Sequence, residues 1–143
     1  SLIDKDLLAN IGKEYYEHRQ AMMIKYQIGL TKIYNQFHNM KIIRNYENNT
    51  LITLEKLLKT EEESFVKEFV QDIVELRHLH VKMDNIVSSC YGWNNLSLDY
   101  NFYEQSYLPE KDNIRYTIHP DARKEILKYL LILNQKSYKD VDG

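Results

Sequence analysis

Residues 60–92 read TEEESFVKEFVQDIVELRHLHVKMDNIVSSCYG, and their spacing decides the fold class. Phe65, Phe69, Ile73, Leu76, His80, Met83 and Val87 recur every third or fourth residue, the period of one helix face. The run has a start and a stop. Thr60 with Glu63 fits a capping box, in which each side chain takes the other's orphan backbone N–H. Gly92 stands where a helix closes on a left-handed residue, so the spacing predicts one long helix to about Tyr91.

The same period continues outward. Over residues 4–28, Leu8, Ile11, Tyr15, Met22 and Tyr26 form a second stripe, with Asp4 and Asp6 at its positive dipole end. Gly29 either breaks or bends this helix, since Leu30, Ile33, Tyr34 and Phe37 keep the spacing up to Asn39. Residues 40–49 are irregular, with Asn45, Asn48 and Asn49 as turn formers. Thr50 is placed to cap a short helix carrying Leu51, Leu54, Leu57 and Leu58. Beyond Trp93 the pattern changes. Asn94-Asn95 marks a turn, and residues 96–119 are irregular and rich in Tyr100, Phe102, Tyr103 and Tyr107. Arg115 to Ile118 has strand character but shows no partner strand in the sequence. Pro120 opens a last helix with Asp121 in its first turn, and Ala122, Ile126, Leu130 and Leu133 line one face to about Tyr138. The expected fold is therefore mainly α: one helical domain over residues 1–143, a bundle of long helices with an irregular aromatic-rich segment and a short strand.

Composition agrees and excludes alternatives. The 143 residues include only 4 Gly and 2 Pro. Gly12, Gly29, Gly92 and Gly143 are isolated, so no dinucleotide fingerprint or P-loop can form, because both need clustered glycines to bring backbone N–H groups to phosphate. An all-β domain would need more turn residues. Hydrophobic residues at 43% and charged residues at 28% are globular values. Cys90 is the only cysteine, so no internal disulfide forms and a reducing, cytoplasmic compartment is expected. No apolar run reaches membrane-span length, and no membrane partner is expected. The chain opens on Ser1-Leu2 without Met, as expected of a segment excised from a longer protein.

Net charge is −2, but it is unevenly placed. Residues 12–46 carry a local excess of positive charge from Lys13, Arg19, Lys25, Lys32, Lys41 and Arg44, and residues 47–86 an acidic excess. Two readings stay open: the halves pair within the fold, or the basic half faces phosphate, where each contact releases counterions. Twelve tyrosines also fit two readings, a compositional bias or a contact surface of rings with polar tips.

No catalytic constellation is found. On a helix, His78 and His80 point about 200° apart and cannot share an ion. Glu61-Glu62-Glu63 reads as a dipole-favoured helix start, and Cys90 lacks the positive surroundings that activate a thiol. Arg77, His80 and Asp84, at spacings of four or less on one face, form a polar stripe within an apolar pattern, as a buried network would. Trp93 is expected to pack over the helix end.

Two blocks carry more specific signals. One runs from Ile11-Gly12 through Tyr15, Tyr16, His18 and Arg19 to Gly29-Leu30-Thr31-Lys32-Ile33-Tyr34-Asn35-Gln36-Phe37-His38. The other is Leu76-Arg77-His78-Leu79-His80-Val81-Lys82-Met83-Asp84, running to Cys90-Tyr91-Gly92-Trp93. A weaker third comprises Arg115-Tyr116, Ala122-Arg123 and Leu130 to Asn134 with Tyr138. In this order they resemble the C-terminal region of large bacterial adenine-specific DNA methyltransferases, including type IIG restriction–modification enzymes. That family commonly carries Gly-Leu-Thr-Lys-x-Tyr-Asn-x-x-His, then a Leu-Arg-x-Leu-His-x-x-Met-Asp helix ending in Tyr-Gly-Trp. It usually joins the two by a short polar connection, whereas residues 39–72 intervene here.

The resemblance implies a non-catalytic accessory module that contacts double-stranded DNA or docks recognition and catalytic domains of the parent chain. It implies that the parent methylates adenine N6 with S-adenosylmethionine after flipping the base. The cofactor loop and the Asn-Pro-Pro-Tyr motif are absent, so no cofactor is expected on this segment. The candidate DNA contacts are Arg19, Lys25, Lys32, Asn35, His38 and Arg44, as phosphate or sugar contacts; the other reading of the Gly29–His38 helix is that Thr31, Tyr34 and Asn35 tie it to the second block by buried hydrogen bonds. The alternative is a helical protein-interaction domain with no nucleic-acid role.

Overall fold

The computed structural model describes residues 2–93 and 96–142. The turn expected at Asn94-Asn95, Gly143, and the side chains of Asp4 and Tyr138 lie outside what is described. Among the described residues there are five α-helices and one two-stranded antiparallel sheet. Helix α1 spans Leu2–Tyr26, α2 Leu30–Phe37, α3 Asn48–Leu58, α4 Glu63–Cys90 and α5 Pro120–Asp142. Strands β1 (Asn101–Glu104) and β2 (Ile114–Thr117) lie between α4 and α5, with a short 3-10 turn at Glu110–Asp112 before β2.

Helices α1 and α4 form the frame. Tyr26 meets Asp72 while Tyr15 meets His80, so the two run antiparallel. Ile11, Tyr15, Met22 and Tyr26 of α1 are buried against Val66, Phe69, Val70, Ile73, Leu76 and Leu79 of α4. Ile33 and Phe37 of α2, with Leu54 and Leu58 of α3, close the core. Each such side chain contributes about 1.5–3 kcal/mol when fully buried, which is why amphipathic helices without strong caps hold together here.

The helix ends differ from the sequence reading at several points. The capping box at Thr60 and Glu63 does not form. The Thr60 hydroxyl instead accepts the Glu62 N–H at 3.1 Å, two residues on, and Glu62 becomes the α4 N-cap. Thr50 does not cap α3, which starts at Asn48 and carries Thr50 buried in its first turn. Gly29 breaks rather than bends the first helix, but the left-handed residue at the break is Gln27, at φ 54°. At the other end of α4 the expectation holds. Gly92 has φ 77°, its N–H reaches Ser89 O at 2.9 Å, and Trp93 N–H reaches Ser88 O at 3.0 Å, a Schellman closure.

The strand at residues 115–118 finds the partner that the sequence did not show. Phe102 pairs with Tyr116 and Tyr103 with Arg115. The connection closes through Gln105 N–H to Asn113 O at 2.6 Å and Asn113 Nδ2 to Glu104 Oε1 at 2.7 Å. Pro120 begins α5 as expected, and the cap before it is a histidine: His119 Nδ1 accepts the Asp121 N–H at 3.0 Å.

Candidate functional site

A network of polar contacts lies where α2, the middle of α4 and the hairpin meet. Its centre is Arg77. The side chain is buried and donates Nε to Phe37 O (3.0 Å), Nη1 to Ile42 O (2.6 Å), and Nη2 to Gln36 O (3.2 Å) and Asn39 O (3.0 Å). These carbonyls close the C-terminal end of α2 and the loop after it. A helix C-terminus carries partial negative charge, so carbonyls do here what a carboxylate would do elsewhere. Burial lowers the Arg77 pKa to about 10, and its guanidinium packs over the rings of Phe102 and Tyr116, 5.0 and 5.4 Å from their centroids.

His38 holds the hairpin from the other side. Its Nδ1 accepts the backbone N–H of Tyr116 at 3.0 Å, on the edge of β2 that β1 leaves unpaired. An acceptor nitrogen must be unprotonated. Burial, and then the positive charges of Arg115 and Arg77, push the His38 pKa down to about 4 and keep it so.

His80 and Asp84, one turn apart on α4, meet Tyr100. The Tyr100 hydroxyl donates to Asp84 and lies 3.2 Å from His80 Nδ1, which is itself 3.4 Å from Asp84. The His80 ring sits among Tyr15, Phe37 and Tyr100, with centroids 5.5–5.8 Å away. Trp93 stacks between Tyr91 and Tyr129, at 4.8 and 5.3 Å, over the end of α4.

Several of the residues offered to DNA already have protein partners. Lys25 is held by Glu68 at 3.0 Å and Asp72 at 3.5 Å, so here the basic and acidic halves pair within the fold. Arg19 is half-buried. Its Nη1 donates to Tyr34 at 3.2 Å, and the Tyr34 hydroxyl shares a 2.7 Å hydrogen bond with Tyr15, whose pKa burial and Tyr34 push up. His38 is spent on Tyr116. Asn35 and His38 do share a polar groove of about 470 Å³ with Asn39, Lys111 and Arg115, which also holds Glu110 and Asp112. Lys32 is exposed on α2. Arg44 lines a separate cleft of about 580 Å³ with Tyr46, Gln71 and Glu75.

The sequence reading missed Tyr100, Tyr116 and Phe102 as partners of the α4 stripe. Their only signal was aromatic density in an irregular stretch. Among the described residues no group of three metal-ligating side chains assembles, and no helix is long and apolar enough to cross a membrane. No family model, curated protein or solved structure matches the chain.

Proposed function

We propose that the chain is a non-catalytic accessory module of a DNA adenine methyltransferase of the restriction–modification type, serving to dock the parent chain's recognition and catalytic domains. One observation carries the reading. The three stretches that resemble that family, far apart in sequence, meet at one joint. Arg77 of the second block grips Gln36 and Phe37 of the first, and Tyr116 of the third bonds to His38 of the first.

Docking is favoured over direct DNA contact because Lys25, Arg19 and His38 already have protein partners. The second reading, an interaction domain with no nucleic-acid role, is favoured by the exposed apolar residues of α5.

The test uses the gene that encodes this chain. The expected outcome is an Asn-Pro-Pro-Tyr motif encoded upstream and loss of adenine N6 methylation, with S-adenosylmethionine binding retained, when residues 2–142 are deleted. Absence of that motif, or unchanged methylation, overturns the proposal. Separately, Lys32→Glu with Arg44→Glu is expected to leave duplex binding of the isolated chain unchanged at about 50 mM salt, where phosphate contacts are strongest.

A further inference from the structure

Helix α5 is built to be covered. Leu127, Leu130, Leu131, Ile132 and Leu133 are each 41–61% exposed. Among the described residues α5 has no extensive contact with another helix or strand. It is tethered at its start, by Arg123 Nη1 to Gln105 Oε1 at 3.1 Å and by the Tyr129–Trp93 stack. Between it and the end of α4 remains an apolar cleft of about 300 Å³ lined by Val87, Trp93, Leu98, Ile126 and Leu130.

Charge says what covers it. At about 100° per residue, Leu127 and Leu131 lie about 40° apart, with Lys124 and Lys128 beside them and Glu125 on the opposite side. Both lysines are exposed, and among the described residues neither pairs with a carboxylate. A second copy packed antiparallel through this face would bring the two lysine rows together, which is unfavourable.

We infer that the α5 face docks an amphipathic helix whose leucine stripe is flanked by glutamate or aspartate. This deepens the docking role proposed above by naming the partner's chemistry. Its test needs only this chain, so it can fail while the methylation experiment succeeds.

The probe is a synthetic tryptophan-free helical peptide with leucine at every third and fourth position and glutamate on both flanks. Its twin carries lysine for glutamate. Trp93 fluorescence reads binding, because its ring stacks on Tyr129 of α5. The acidic peptide is expected to bind roughly tenfold tighter than the basic twin, the ratio of a few surface charge pairs gained or lost. Leu131→Asp is expected to abolish binding with the helical circular dichroism unchanged. Lys124→Glu with Lys128→Glu should reverse the preference. Equal binding of both peptides, or none, overturns the inference. So does recruitment to phosphatidylglycerol vesicles in place of peptide, or a dimer in sedimentation that Leu131→Asp dissolves.

Discussion

Arg77 shows how one side chain can hold three segments at once. Its four hydrogen bonds fan from one planar fork to carbonyls of Gln36, Phe37, Asn39 and Ile42. A lysine ammonium is a compact donor that cannot span that set. Arg77→Lys is therefore expected to cost about 3 kcal/mol or more in denaturant unfolding, the scale of a buried charge stripped of its partners. His38 makes a different prediction. Its folded pKa of about 4 lies below the unfolded value near 6.5, so between these limits the unfolded chain binds the proton more readily. Stability from this residue is fully present above pH 6.5 and is lost as pH falls toward 4. In His38→Asn, whose Oδ1 can accept the Tyr116 N–H, the unfolding free energy should fall less steeply over that window. An unchanged slope would remove His38 as the cause.

At the scale of elements, periodicity found the helices and misjudged their edges. The α4 stripe from Phe65 to Met83 was legible because its burial depends on a repeat visible in the chain. The N-caps expected at Thr50 and Thr60 were not: Thr60 had two backbone N–H groups within reach and took the nearer. Gly92 was legible because its role is local: φ 77° suits a residue without Cβ. Gly92→Ala meets no neighbouring atom within 4 Å, so only backbone strain opposes it. It should destabilise by about 1 kcal/mol, read as a lower thermal midpoint. The hairpin was half legible. Residues 115–118 looked extended, but the choice of 101–104 as partner rests on Phe102 and Tyr116 packing together over Arg77.

At the scale of the whole molecule, the uneven charge had two readings, and Lys25 between Glu68 and Asp72 pairs part of the basic half with the acidic half at the surface. The polar stripe of Arg77, His80 and Asp84 was visible as spacing alone. Its partners, Tyr100 and Tyr116, come from a stretch with no period, so no sequence rule could join them to α4. The amino-acid sequence by itself determined a mainly helical chain, the existence of its long helices, and the lack of the clustered glycines that a phosphate loop needs. These follow from local periodicity and composition. Only the tertiary structure decided which cations are spent within the fold, which rings enclose Arg77, and that α5 leaves its leucines uncovered. Those outcomes depend on distances between segments 15 to 78 residues apart, as for Arg19 to Tyr34 and Tyr116 to His38. Such distances follow from how the helices pack rather than from any repeat within one of them.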